Sequence, residues 1–113
     1  MEEIVQFRII SCEMLEQYLK QDDILLLDLR SRDSYEQEHI PRAVWADWET
    51  LEDTIPSYLA GLPFNPIWII LYCDHGNTSL LTARDLARNG YPVIRLGGGY
   101  AYWKKYQKGR HNT

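Results

Sequence analysis

Two continuous apolar runs, 24-ILLLD-28 and 67-IWIILY-72, constrain the fold of this chain more than any other feature. Neither run alternates apolar with polar residues, so each is typical of a strand that is buried on both faces. Segments with the apolar spacing of helices lie between and after them. This alternation indicates an α/β fold of three layers, in which helices cover both faces of a mostly parallel sheet.

Shorter strand signals at the two ends and in the middle of the chain bring the predicted sheet to five strands. These additional strands are expected at Gln6–Ile10, Ala43–Trp45 and Val93–Leu96. Helices are expected after an N-cap at Ser11 through Lys20, briefly within 31–39, and over Asp47–Leu59, Ser79–Asn89 and Tyr100–Lys108. The 113 residues fit a single domain with its core over about 9–106 and a frayed tail over 109–113.

The ends and the charges of the chain narrow the classes of protein it can belong to. No basic segment followed by an apolar one opens the sequence, and no apolar run reaches the ~20 residues that span a bilayer, so we expect a cytoplasmic protein that does not bind membranes. In such a compartment Cys12 and Cys73 are expected to be free thiols. Residues 1–79 carry 15 Asp/Glu against 5 Lys/Arg, which argues against a nucleic-acid-binding module.

The basic C-terminal third has two interpretations. Residues 80–113 carry 7 Lys/Arg and a single Asp/Glu, and several of these cations lie in 104-KKYQKGRH-111. One interpretation is a solvated helix end with a frayed terminus. The other is a basic surface that attracts an anionic substrate toward the rest of the molecule.

The segment 72-YCDHGNTS-79 is the main candidate for a functional site. Ligand sites in open α/β sheets lie outside the carboxyl ends of the strands, which is where Cys73 and Asp28 are predicted. Gly76 allows the chain to curl back, so that successive backbone N–H groups converge on the sulfur of Cys73 ahead of a helix N-terminus. Both features favour the thiolate, which indicates nucleophilic sulfur chemistry on an anionic substrate.

Other interpretations of the same segment remain open at this point. A buried, inert cysteine at a strand end is common. Asp74 places a carboxylate beside the thiol and opposes its ionisation, whereas His75 adds a hydrogen bond or a positive charge. Cys73 with His75 is only a C-x-H pair and matches no structural zinc site, so neither a metal nor another cofactor is expected.

The residues named so far, together with three further motifs, resemble the rhodanese family of thiosulfate sulfurtransferases. The resemblance covers about Ile9 to Tyr106, and the four motifs occur in family order. The strand end 28-DLR-30 resembles D-x-R, Tyr35 with 39-HIPRA-43 resembles Y-x-x-G-H-I-P-G-A, 73-CDHGNTS-79 resembles C-x-x-G-x-[RST]-S, and 96-LGGGYAYW-103 resembles L-x-G-G-x-x-x-W. The loop is most similar to that of single-domain bacterial members.

The resemblance implies a rhodanese-type transferase with a ping-pong mechanism. Cys73 would take a sulfane sulfur from an anionic donor such as thiosulfate, polysulfide or a persulfide, and a thiol on a small molecule or on a protein would accept it. The backbone N–H groups and side chains of the loop would bind the substrate. The loop residues concerned are Asp74, His75, Gly76, Asn77, Thr78 and Ser79. Asp28 and Arg30 would support the site, either by fixing the surrounding loops or by orienting the cysteine loop itself.

Departures from the family pattern leave an alternative and a substrate question. Ser79 stands where phosphatases of this fold carry an Arg that grips a tetrahedral oxyanion, so a phosphatase is not expected. Glu38 and Arg42 stand where the family carries Gly, which indicates a turn that is built differently. The loop lacks Lys and Arg and contains Asp74, which disfavours thiosulfate as donor. The alternative to an enzyme is a non-turnover module that relays sulfur or docks on a partner.

Overall fold

The computed structural model of the protein describes residues 7–111, and within them strands alternate with helices along the chain. In chain order the elements are β1 Arg8–Ile10, α1 Cys12–Tyr18, β2 Ile24–Asp28, α2 Arg32–Gln37, β3 Val44–Trp45, α3 Leu51–Ala60, β4 Trp68–Tyr72, α4 Asn77–Arg88, β5 Val93–Leu96 and α5 Gly99–His111.

The five strands form one sheet in the order β1-β5-β4-β2-β3, and every pairing is parallel. The two apolar runs become the neighbouring central strands β2 and β4, whose register places Asp28 opposite Tyr72. The prediction of an α/β fold with a five-stranded, mostly parallel sheet is therefore confirmed, and the sheet is parallel throughout. Because β4 is central, the loop that follows it lies between the ends of β2 and β5.

Each face of the sheet has its own apolar core. Alternate residues of β2 and β4, such as Leu26 and Ile70, pack with side chains of α1 and α5. The intervening residues, such as Leu25 and Ile69, pack with side chains of α3 and α4. Since both faces are covered, the two central strands need apolar side chains at every position, which explains the absence of alternation in their sequences.

Local hydrogen bonds explain where the first and third helices begin. The predicted N-cap Ser11 is confirmed, because its hydroxyl accepts from the N–H of Met14 at 3.2 Å. The helix ends at Tyr18 rather than Lys20. The helix predicted over Asp47–Leu59 instead covers Leu51–Ala60, since the Asp47 carboxylate accepts from the N–H of Glu49 at 3.0 Å and holds 47–50 as a turn.

The boundaries of the last two helices also differ from those predicted. The fourth helix begins at Asn77, two residues before the predicted start at Ser79, with Gly76 as its N-cap. The last helix continues to His111, so part of the tail predicted to be frayed is helical. Gln6, the predicted start of the first strand, lies outside the described residues.

Arg42 shows how the turn before β3 is built without the family's glycine. Its φ of 74° lies in the left-handed region, which costs a non-glycine residue about 1 kcal/mol. The guanidinium compensates by donating from Nη1 to the carbonyls of Leu19 and Gln21, beyond the end of α1. Glu38, at the other position where the family carries Gly, has an ordinary extended backbone with φ −168°.

Candidate active site

Cys73 directly follows β4, and its sulfur is enclosed by the loop that leads into α4. The residue is only 4% exposed. Sγ accepts from the N–H of Gly76 at 3.1 Å and from the N–H of Ser79 at 3.3 Å. The Ser79 hydroxyl lies 3.5 Å from the same sulfur. The structure thus brings two of the predicted backbone donors to the sulfur, and both come from the helix N-terminus.

Gly76 makes this geometry possible. Its φ of 109° is accessible to glycine and lets the chain turn directly into α4, which is why the helix starts earlier than predicted. Because Ser79 lies in the first turn of α4, its N–H has no acceptor within the helix and can donate to the sulfur. Since the positive end of the helix dipole lies here, an anionic sulfur is favoured at this place.

The N-terminus of α5 holds the first part of the loop. The N–H of Tyr100 donates to the Cys73 carbonyl at 2.8 Å, and the N–H of Ala101 donates to the Asp74 carbonyl at 3.1 Å. Gly99 permits this approach, because a Cβ built on it would lie 2.5 Å from the Cys73 carbonyl oxygen. The 97-GGG-99 turn therefore joins β5 to α5 and also packs its backbone directly against the cysteine loop.

Cys73 lies in a pocket of about 260 Å³. The predicted loop residues Asp74, His75, Asn77 and Thr78 line this pocket; the first three are exposed and Thr78 is half-buried. The remaining lining comes from Leu29, Arg30, Ser31 and Trp48. Gly76 and Ser79 are the buried members of the loop, and they contact the sulfur without lining the pocket.

Asp28 and Arg30 form a buried ion pair at the end of β2. Arg30 Nη2 donates to Asp28 Oδ2 at 2.8 Å, and its Nε donates to Oδ1 at 3.1 Å. The Tyr72 hydroxyl donates to the same carboxylate at 2.6 Å. Burial and this hydrogen bond raise the pKa of Tyr72 well above its usual range. Arg30 lines the pocket, whereas Asp28 does not and contacts Arg30 and Tyr72 instead.

The ion pair is tied to α5 as well. The Arg30 guanidinium carbon lies 3.9 Å from the centroid of the Tyr100 ring, and Nη2 also donates to the Glu38 carbonyl at 2.6 Å. Burial and the nearby Glu38 carboxylate raise the pKa of Tyr100 to about 12. The Glu38 carboxylate itself pairs with Lys104 at 2.9 Å. Arg30 therefore joins β2, the loop before β3 and α5 around the cysteine site.

Sequence reasoning missed three residues that shape this site, namely Trp48, Arg95 and Gly99 as a contact of the loop. Trp48, 49% exposed, forms part of the pocket wall. Arg95 Nη1 donates to the Gly76 carbonyl at 3.0 Å from β5. A charged residue inside the otherwise apolar run 93-VIRL-96 is a signal that could have revealed Arg95. Trp48 lies in a turn and carries no such signal.

The second cysteine lies apart from the first. Cys12 packs in the apolar core on one face of the sheet and Cys73 in the core on the other, and both thiols are free. Burial raises the pKa of the Cys12 thiol. Since the sheet separates the two sulfurs, Cys12 is not placed to resolve a modified Cys73.

Over residues 7–111, no three His, Cys, Asp or Glu side chains gather in a way that could hold a metal ion. None of the helices in that range has the length and apolar character to cross a membrane.

Comparison with known proteins identifies relatives of both sequence and fold. The family model of the rhodanese-like domain matches residues 11–106. Thiosulfate sulfurtransferase GlpE of Coxiella burnetii is 33% identical over 89 residues, which are 78% of this chain and 78% of that protein.

Solved structures match the fold at lower identity. A thiosulfate sulfurtransferase from Pseudomonas aeruginosa is 21% identical and superposes with a TM-score of 0.77 over 93% of this chain, which spans 19% of the Pseudomonas chain. A rhodanese-related protein from Thermoplasma volcanium is 20% identical, with a TM-score of 0.75 over 88% of this chain and 93% of that one. These matches show that the fold is rhodanese-like, as expected from the sequence motifs.

Proposed function

Because the chain belongs to the rhodanese-like domain family, we propose that it is a sulfurtransferase in which Cys73 carries a sulfane sulfur as a persulfide. The observation that supports this most directly is the position of the Cys73 sulfur. It belongs to a residue that lines a pocket, and it accepts hydrogen bonds from the N–H groups of Gly76 and Ser79. Thiolate and persulfide are both anions, so one fixed set of donors stabilises the resting and the loaded states.

The reaction needs two displacements at sulfur. The Cys73 thiolate attacks the outer sulfur of the donor, the S–S bond of the donor breaks, and its remaining part leaves with the electron pair; from thiosulfate this leaving group is sulfite. A thiolate acceptor then attacks the outer sulfur of the persulfide. The bond between that sulfur and Sγ breaks, which restores the Cys73 thiolate. Neither step requires a general base if the loop keeps Cys73 ionised.

The charges around the pocket favour some donors over others. Arg30 is paired with Asp28, so much of its charge is already neutralised within the protein. Asp74 adds an exposed carboxylate to the pocket wall. A compact dianion such as thiosulfate is therefore attracted weakly. An organic persulfide, which carries at most one charge on its sulfur, and a polysulfide, whose two charges lie at the ends of a longer chain, suffer less from Asp74. We propose these as the better donors and a thiol as the acceptor.

Intact-protein mass spectrometry tests the proposed function. The reduced protein is incubated with thiosulfate or with polysulfide, and its mass is compared with that of a Cys73→Ser variant treated in the same way. We expect wild type to gain the mass of one sulfur atom and to lose it again when cyanide is added. The Ser79→Ala variant should still load, more slowly, because it keeps the backbone N–H that contacts Sγ.

The matched control for this test is Cys12→Ser, which removes the other thiol and should leave loading unchanged. If wild type gains no sulfur from either donor, the catalytic proposal is wrong, and the remaining explanation is a rhodanese-like module that docks on a partner without turnover. Equal loading of the Cys73→Ser variant would place the reactive group elsewhere.

Reversing the charge of Asp74 is predicted to speed loading from thiosulfate. The Asp74→Arg variant should load about three- to tenfold faster at low ionic strength, because a cation at the pocket wall attracts the dianion. The gain should shrink as salt is added. Stopped-flow or quenched-flow loading rates measure it.

Glu13→Arg is the control for this charge reversal, since it changes the net charge equally on the helix at the other face of the sheet. An unchanged or slower rate for Asp74→Arg would show that the Asp74 carboxylate does not affect the path of the donor. A similar gain in both variants would indicate a response to overall charge instead.

A further inference from the structure

The cysteine loop, residues 73–79, contains no Lys or Arg, but a cation from the neighbouring strand β5 contacts it. Arg95 occupies β5 between Ile94 and Leu96, which both point into the core shared with α1 and α5. Its own side chain therefore points to the opposite face, toward α4. There its Nη1 donates to the carbonyl oxygen of Gly76 at 3.0 Å.

Gly76 is held at both of its backbone polar atoms, which belong to the two successive peptide groups that flank its Cα. Its carbonyl oxygen accepts from Arg95 Nη1, from the Ser79 hydroxyl at 3.2 Å and from the N–H of Leu80 at 3.1 Å. Its N–H donates to Cys73 Sγ at 3.1 Å. One glycine residue thus connects the guanidinium to the sulfur, and a change in its orientation alters the donor that the sulfur accepts.

The Arg95 guanidinium packs close against Gly76, so a larger residue at position 76 would have to displace it. A Cβ on Gly76 would lie 2.8 Å from Arg95 Nη1. The positive φ of Gly76 adds to this restriction, because it strains any other residue. The guanidinium therefore lies directly against the backbone of the loop, where a charged hydrogen bond is stronger than a neutral one.

Arg95 also differs from Arg30 in its charge balance. Arg30 is neutralised by Asp28, but among the ion pairs of residues 7–111 Arg95 has no carboxylate partner. Its Nε is buried and has no hydrogen-bond partner within the described part of the chain. Among the described residues no carboxylate forms an ion pair with Arg95, and its hydrogen bond to the Gly76 carbonyl places the positive charge beside the residue whose N–H donates to Cys73 Sγ.

We propose that Arg95 is a positioning residue of the cysteine site, which fixes the Gly76 N–H toward the sulfur and supplies the positive charge that the loop itself lacks. This role of Arg95 extends the proposed function, and its biological meaning rests on that function. The same arrangement supports the thiolate before sulfur is bound and the persulfide afterwards, because both carry their negative charge close to the Gly76 N–H.

The rate at which iodoacetamide alkylates Cys73, measured against pH, tests this role. Peptide mass spectrometry separates the Cys73 product from that of Cys12. In Arg95→Gln we expect the profile to move to higher pH, with a rate at pH 7 about tenfold below wild type, since a charged hydrogen bond is replaced by a neutral one. Arg95→Lys keeps the charge and should recover most of the rate at pH 7.

Arg84→Gln is the matched control, because it removes an exposed Arg from α4 and should leave the profile unchanged. Circular dichroism and thermal unfolding establish that each variant is folded. If Arg95→Gln does not fold, Arg95→Met, which keeps the apolar stem, takes its place. A folded Arg95→Gln or Arg95→Met variant with the wild-type profile overturns the proposal.

Alkylation needs no sulfur donor, so this experiment is independent of the mass test for loading. A wild-type protein that never loads sulfur, while Arg95→Gln still shifts the profile, contradicts the proposed function and supports the role of Arg95. Normal loading in wild type with equal profiles and equal loading rates in both proteins supports the proposed function and overturns the role of Arg95.

Discussion

The Asp28→Ala variant is expected to lose about 3–5 kcal/mol of unfolding free energy, which is typical when one partner of a buried ion pair is removed and the other stays charged. Asp28 is 0% exposed and accepts from Arg30 and from the Tyr72 hydroxyl. Without the carboxylate, the Arg30 cation and the phenol are both left buried without this partner. Urea unfolding followed by circular dichroism measures the loss.

Two comparisons separate this effect from a general sensitivity to charge removal. Glu36→Ala breaks the exposed pair between Arg32 and Glu36 and should cost less than about 1 kcal/mol. Asp28→Leu combined with Arg30→Met removes both charges and should be more stable than Asp28→Ala, because no unpaired ion remains. A loss below about 1 kcal/mol in Asp28→Ala would contradict the assignment of this pair as a structural support.

Gly99→Ala is the second variant with a large expected effect, about 3 kcal/mol of unfolding free energy together with a marked loss of sulfur loading. The φ of Gly99 is 66°, and an added Cβ would lie 2.5 Å from the Cys73 carbonyl oxygen and 2.7 Å from that of Asp74. These neighbours are backbone atoms that cannot rotate away. The loop must shift, which disturbs the N–H contacts to Sγ.

Gly90→Ala provides a close control. Gly90 also has a positive φ, 90°, but an added Cβ meets nothing within 4 Å. This variant carries the backbone strain alone and should cost about 1 kcal/mol with normal sulfur loading. Equal losses of stability in the two variants, or normal loading in Gly99→Ala, would show that the contact between Gly99 and the loop is unimportant.

The layered fold could be predicted because its signals are local. The runs 24-ILLLD-28 and 67-IWIILY-72 lack alternation for a reason that the structure makes plain, namely the apolar layers on both faces of the sheet. The position of Cys73 at the end of a central strand followed from the same signals. That Gly76 turns the chain with a positive φ was also predictable from its residue type.

The remaining features of the site depend on contacts between distant segments. The sequence predicts the start of α4 at Ser79, two residues later than the observed start at Asn77, since the propensity of Ser for N-caps competes with the backbone freedom of Gly76. Arg95 and Gly99 reach the loop only through the pairing of β4 with β5. No spacing within the cysteine loop itself encodes these neighbours, and the one hint in the sequence is the charged residue that interrupts the apolar run 93-VIRL-96.

The order of the strands has a consequence for when the surroundings of Cys73 assemble during synthesis. Cys73 emerges from the ribosome before β5 and α5, which supply Arg95 and the N–H groups of Tyr100 and Ala101. β5 also inserts between β1 and β4, so the sheet is complete only when the last strand is present. A nascent chain therefore presents Cys73 without these contacts, which arise only with the completion of the fold.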